Sequence, residues 1–184
     1  MVYTLKNFIA DCRAALSDNS DSRGREQVRA SLCKLLIEDT FVNNNCGPNL
    51  EAGTSLLYQD EDLGFQIVAH IMGDAYEGGP HDHGASWAIY GQAVRYTDMT
   101  EWTRIDDGSK NGFAKIEKAK VYRLRPGDAG VFDDQKIHSI SYPSGARFLR
   151  VTGVDLSTIK RSRFNPKKNT VSLTRRESFS GAAC

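Results

Sequence analysis

No run of apolar residues in this chain approaches the roughly 20 needed to cross a bilayer. Nor is there an excess of either charge: 24 Lys and Arg stand against 23 Asp and Glu, leaving a formal net charge of +1. That balance gives no global field to recruit nucleic acid or an anionic membrane surface, so neither is expected as a partner. Cysteine is scarce, at four in 184 residues, and the positions Cys12, Cys33, Cys46 and Cys184 include no Cys-x-x-Cys pair. This spacing excludes a disulfide framework and a cysteine-based zinc site. Cys12 and Cys33 fall within helix-like apolar faces, where a free thiol packs as a small hydrophobe. The opening "MVYTLKNFIADCRAAL" carries Asp11 inside its apolar stretch and has no basic n-region or small-residue cleavage site. A secretory signal is therefore not expected, and a cytoplasmic location is.

What is present is an ordinary globular composition, 40% hydrophobic and 26% charged, on a chain long enough for one domain with a real core. The first 45 residues read as helical. "TLKNFIADCRAAL" places Leu5, Phe8, Ile9, Cys12 and Leu16 at helical spacing behind Thr4 as a cap, and "EQVRASLCKLLIEDTF" repeats the pattern through Val28, Leu32, Leu35 and Leu36. The polar "SDNSDSRGRE" between them predicts a loop, and "VNNNCGPN" closes the helical lead-in.

From 55 to 156 the period changes. "SLLYQ", "GFQIVAHIM", "SWAIYGQAVRYTD", "FAKIEKAKVYRL", "AGVFDD", "HSISYP" and "ARFLRVTGVDL" are short, rich in β-branched and aromatic residues, and bounded by Gly, Pro and Asp turns. Such spacing predicts a sandwich or barrel, and helices followed by strands exclude βαβ units. Residues 157–184 are basic, Ser/Thr-rich and poor in aliphatics, and predict a solvated tail wrapping the barrel or partly disordered.

The chain has four histidines, and two of them sit one residue apart in "YEGGPHDHGASWAIYGQ". On an extended strand, residues i and i+2 project to the same face, so His81 and His83 share the geometry that two imidazoles need to hold one metal ion. Pro80 and the Gly78–Gly79 pair place them at a strand's beginning. His138, after the turn "RPGDAGVFDD", is the natural third ligand. His70 alternates with Val68 and Met72 in a buried-strand pattern and reads as a core histidine or one that supports the site from behind. Asp82 alternates away from the pair and suits a structural or imidazole-orienting role, while Asp133 and Asp134 suit a turn.

"PHDHG" with "WAIYG", then "PGDAG" and the histidine of the next strand, resembles the two motifs of the cupin superfamily. The His-Asp-His-Gly spelling within it resembles the thiol dioxygenases, namely cysteine dioxygenase and the 3-mercaptopropionate dioxygenases. The resemblance covers about Leu56 to Leu156. It implies a mainly β fold, a cupin double-stranded β-helix (jelly-roll) barrel with N-terminal helices. It also implies Fe(II) held by His81, His83 and His138, with dioxygen and a small organic molecule as substrates, in a monomer or homodimer. Many cupins add a glutamate four residues after the second histidine. Here that position is Trp87, as in the three-histidine subgroup, which also lacks the carboxylate. Imidazoles alone suit iron, zinc, copper and nickel alike, so the ligand set admits other divalent metals.

The substrate side departs from the subgroup. Its Ser-His-Tyr arrangement corresponds to Phe148, Arg150 and Thr152, no arginine occurs in the early "GTSLLYQDEDLG", and Ala88 stands near the place of the crosslinked cysteine. Cysteine is therefore not the expected substrate. Trp87, Ile89 and Tyr90 follow the ligands directly, and "RYTDMTEWTRI" adds Arg95, Tyr96 and Trp102. From these, Trp87, Ile89, Phe148 and Thr152 are expected to wall the pocket, and Arg150 and Tyr90 to act on the substrate. Alternation alone does not say which face of "ARFLRVTGV" looks inward. A surface arginine and a substrate anchor both remain open for Arg150, and the resemblance turns its face inward. The same fold also serves metal-dependent isomerases, lyases, a diketone-cleaving dioxygenase and metabolite-binding modules without catalysis.

Overall fold

The computed structural model describes residues 2–18 and 21–175. Helix α1 spans Leu5–Asp18, and the Asn7 amide donates to Thr4 Oγ1 at 3.2 Å, which caps it. Helix α2 spans Ser22–Leu36 and begins inside the stretch expected to be a loop. Asp21 explains the early start, because its carboxylate accepts from the amides of Arg23 and Gly24 and satisfies the first turn. The expected second helix is also two: α3 spans Asp39–Cys46 after a break at Ile37, where the exposed isoleucine lets Phe41 turn back to the core that Leu35 and Leu36 occupy. No helix among the described residues is long and apolar enough to cross a membrane.

Eleven strands follow among the described residues: β1 (Gly53–Gln59), β2 (Gln66–Ile71), β3 (Tyr76–Glu77), β4 (Ala88–Val94), β5 (Thr97–Arg104), β6 (Ile116–Leu124), β7 (Ala129–Phe132), β8 (His138–Tyr142), β9 (Arg147–Thr152), β10 (Lys160–Asn165) and β11 (Thr170–Arg175). A five-stranded sheet in the order β1-β2-β9-β4-β7 faces a four-stranded sheet in the order β3-β8-β5-β6, and β10 and β11 form a hairpin. This is a jelly-roll barrel, mainly β, with N-terminal helices. The run "SWAIYGQAVRYTD", expected as one strand, is β4 and the start of β5. Arg95 adopts a left-handed φ of 65° between them and sends the chain from one sheet to the other.

The five-stranded sheet is covered on both faces, which is why every residue of β2 is buried. Its outer face carries Ile67, Ile89, Leu149 and Val151 against Phe8, Leu32, Leu35 and Leu36 of the helices. Helix α2 comes so close to β4 that a Cβ on Gly91 would meet Leu32 and Leu36 side chains at 2.6 Å. The inner face joins Tyr90, Phe132 and Phe148 to Met99 and Leu124 of the opposite sheet. A third cluster, Ala114, Ile116, Ile137 and Phe164 with Trp102 against it, seals one end under the hairpin. The two tryptophans thus lie apart: Trp87 packs in the helix-side core, its indole nitrogen 2.6 Å from where a Cβ on Gly153 would sit. Trp102 Nε1 donates to Ser139 Oγ at 3.0 Å.

Candidate metal centre

His81 is held against the first residue of β8 by a reciprocal backbone pair, with His81 N donating to His138 O and His138 N to His81 O, both at 2.9 Å. The pair fixes two of the three histidines on adjacent strands. The third, His83, follows after Asp82, where Gly84, at a φ of 59°, turns the chain away. The ligand atoms of His81, His83 and His138 all lie within 4.8 Å of one another. Bonds of about 2.1 Å to one ion would draw these atoms closer together than they stand here.

Tautomers follow from the carbonyls behind the rings. His81 Nδ1 lies 3.1 Å from Gly79 O and His138 Nδ1 lies 3.0 Å from Lys136 O, and a carbonyl only accepts, so each Nδ1 carries the proton. Their Nε2 lone pairs therefore face the cluster, an orientation that metal-binding histidines owe to such partners. His138 Nε2 is buried without a hydrogen-bond partner, which is the position a metal ion would satisfy. Burial pushes the His81 imidazole down to about 4 and that of His138 down to about 3, with the neighbouring His81 adding to the latter shift. His83 is lowered well below the usual histidine value, first by burial and then by His138 and His81. All three are neutral at pH 7 and able to ligate. The donor set fits a divalent metal ion, and no carboxylate joins it among the described residues.

His81 and His83 line a cavity of about 230 Å³, and His138 lies buried behind them. Phe148 and Arg150 line it, as does Tyr90, whose Oη lies 3.3 Å from His83 Nε2. Arg150 is 7% exposed, and its Nε is buried without a hydrogen-bond partner. His70 also lines the cavity but stands outside the cluster, its ring stacked on Phe148 at 4.8 Å and its Nδ1 3.3 Å from Thr54 Oγ1.

Three expected pocket residues lie elsewhere. Trp87 and Ile89 belong to the helix-side core, because alternation does not survive the turn from His83 to Trp87 and the inward residues of β4 are Ala88 and Tyr90. Thr152 shares the face of Arg150 but lies beyond the cavity and donates to Val154 O at 2.9 Å. Arg95 occupies the turn after β4, Tyr96 lies under the Arg123 guanidinium at 3.6 Å, and Trp102 is in the end cluster. Asp133 pairs with Arg25 of α2 at 2.8 Å, tying the turn before β8 to the helices.

The sequence reading missed Tyr76, Tyr142, Arg161 and Arg163, all of which line the cavity. The arginines lie in the stretch read as a tail. Its first part is instead the β10–β11 hairpin, and residues 176–184 lie outside the described residues. The alternating "RSR" followed by the turn-forming "NPKKN" was the available signal.

No protein-family model and no curated protein matches the chain. Among solved structures, it is similar to the DMSP lyase DddQ from Ruegeria pomeroyi, at 14% identity over 88% of this chain and 96% of that one, with a TM-score of 0.47. It is also similar to KdgF from Halomonas sp., at 18% identity over 54% of this chain and 74% of that one, with a TM-score of 0.40. A cupin superfamily protein from Desulfitobacterium hafniense gives 18% identity over 58% of this chain and 84% of that one, with a TM-score of 0.40.

Proposed function

We propose that the chain is a non-haem Fe(II)-dependent dioxygenase acting on a small anionic organic molecule. It is akin to the three-histidine thiol dioxygenases in its ligands and unlike them around the substrate. The observation that supports this reading is the convergence of three neutral imidazoles, without a carboxylate among the described residues, at the edge of a polar cavity that His81 and His83 line. Iron bound by His81, His83 and His138 would supply a centre for dioxygen and substrate that keeps its full divalent charge and so favours an anionic ligand atom.

The protein's own groups divide the remaining work. The Arg150 guanidinium, planar and without an acidic partner among the described residues, is suited to a carboxylate or enolate oxygen through paired N–H donors. Tyr90 Oη stands beside His83 and can give a proton to the substrate or take one from it. Phe148 and Tyr142 form apolar walls that exclude water from the bound substrate.

The test begins with elemental analysis of protein purified without added metal. Oxygen uptake by the Fe(II)-loaded protein is then followed against thiols and 1,3-diketones. Uptake that needs both iron and one of these substrates is the expected result. Tyr90 gives a second reading its footing, since a tyrosine hydroxyl next to a metal centre is placed to take part in proton transfer at carbon, as a lyase or isomerase requires. Turnover by zinc-loaded protein in strict anaerobiosis would replace the oxygenase with that alternative.

A further inference from the structure

The β10–β11 hairpin is seated on the metal-ligating segment by a set register. Asp82 N donates to Ser162 O at 3.1 Å, Ser162 N donates to Asp82 Oδ1 at 2.8 Å, and Phe164 N donates to Pro80 O at 2.9 Å. Asp82, 4% exposed, also accepts from Gly84 N at 2.9 Å, so the residue between the two histidines locks the hairpin in place. Gly84 passes so near that a Cβ would lie 2.1 Å from Lys160 O. Phe164 is buried in the end cluster, and alternation turns Arg161 and Arg163 to the other face, into the cavity.

Arg150, Arg161 and Arg163 therefore line one cavity to which no Asp or Glu contributes. Among the described residues none of the three pairs with a carboxylate, and the Nε atoms of Arg150 and Arg161 are both buried without a hydrogen-bond partner. Burial, with Arg163 and Arg150 nearby, lowers the proton affinity of Arg161. Arg150 is buried, Arg161 half-buried and Arg163 exposed, so the uncompensated charge is costly mainly at the first two, and a divalent ion on the histidines would add to the same sign. A ligand with a single negative charge leaves this cavity strongly positive.

We propose that the cavity is a receptor for a small organic dianion, with one acidic group on Arg150 beside the histidines and a second on Arg161, with Arg163 at the rim. The volume, below the ~300–1,000 Å³ of drug-sized sites, suits a short-chain acid. This deepens the oxygenase reading by naming the substrate class, and it rests on that reading only for the place of the metal.

Succinate and butyrate, equal in length and different by one carboxylate, are the probes. Calorimetric titration of the metal-loaded protein without oxygen, at low ionic strength, is expected to give succinate at least tenfold tighter binding than butyrate. Arg161→Gln should erase that preference while leaving butyrate affinity and metal content within twofold of the parent, and Arg161→Lys should restore part of it. In the unmodified protein the succinate affinity should also fall more steeply with salt than that of butyrate. Equal affinities, no measurable succinate binding, or a preference that survives Arg161→Gln overturns the proposal. Because no turnover is measured, the two readings fail separately. A protein that prefers succinate but never consumes oxygen loses only the oxygenase assignment. Iron-dependent oxidation of a monoanionic thiol without dianion preference overturns only the dianion receptor.

Discussion

Alternate residues of the same strands give the five-stranded sheet two faces of opposite chemistry. On β9, Leu149 and Val151 are fully buried in hydrocarbon against the helices, whereas Phe148 and Arg150 look into the barrel. On β4, Ile89 faces Leu32 and Leu36 while Tyr90 reaches His83. The outer face is close-packed mostly by hydrocarbon side chains, with few polar atoms to satisfy, so it holds the strands firmly. The inner face then carries Arg150, whose buried Nε has no hydrogen-bond partner among the described residues, and it looks towards a buried nitrogen in the same state on His138 of the opposite sheet and another on Arg161 of the hairpin. Groups of this kind destabilise a fold, and a well-packed opposite face is what lets the barrel hold them. Stability and chemistry are thus assigned to opposite sides of one backbone.

The largest expected effect comes from removing one of the three histidines inside the barrel, His138, which the opposite sheet supplies. His138→Ala should lower bound metal more than tenfold by elemental analysis while the far-ultraviolet circular dichroism stays that of the folded protein. Full retention of metal would sink the ligand assignment. On the outer face the effect reverses in kind: Leu149→Ala should cost about 2–5 kcal/mol in urea denaturation, with metal per folded chain unchanged. If Leu149→Ala instead released the metal without a loss of stability, the division between faces would be wrong.

Acid sharpens the contrast. His81 and His138 are neutral in the fold down to about 4 and about 3, whereas in the unfolded chain they take up protons near 6.5. Below 6.5 the unfolded state binds more protons, so the stability of metal-free protein should fall as pH drops from about 6.5 towards 4. The urea midpoint at pH 7.5 and pH 5.5 measures this, and the Leu149→Ala loss should be similar at both. A midpoint that rises on acidification contradicts the buried neutral histidines. The smallest effect on metal is expected from His70→Ala. That variant should lose about 1–3 kcal/mol, since a buried, partnered ring is removed, and bind metal in full.

How far these faces could be read from the sequence varied with how local the signal was. His81 and His83 are two residues apart on extended chain beside a Gly-Gly-Pro turn, and their convergence needs nothing beyond the strand period. The helical lead-in and most strands were legible in the same way from apolar spacing. Trp87 and Ile89 were assigned to the pocket by carrying alternation through Gly84, where a positive φ resets which side faces inward. The two-strand reading of β4 and β5 was hidden because a left-handed arginine has no strong sequence signature. Arg161 and Arg163 owe their place to a contact made 80 residues along the chain, between Asp82 and Ser162. Composition labels such a basic segment as solvated, and only its partner strand shows otherwise.

The separation of the two tryptophans gives the chain two optical reporters at different places. Trp87, packed against Gly153 in the helix-side core, sits in a dry environment and should emit at the blue end of the indole range. Trp102, half-buried with its N–H on Ser139 and the Lys118 ammonium 5.7 Å from its ring centre, sits at the end covered by the hairpin and should emit further to the red. With Trp102→Phe, the remaining fluorescence follows the helices on the sheet alone. The difference spectrum between that variant and the parent follows the hairpin, so loosening of the barrel end can be timed independently of unfolding.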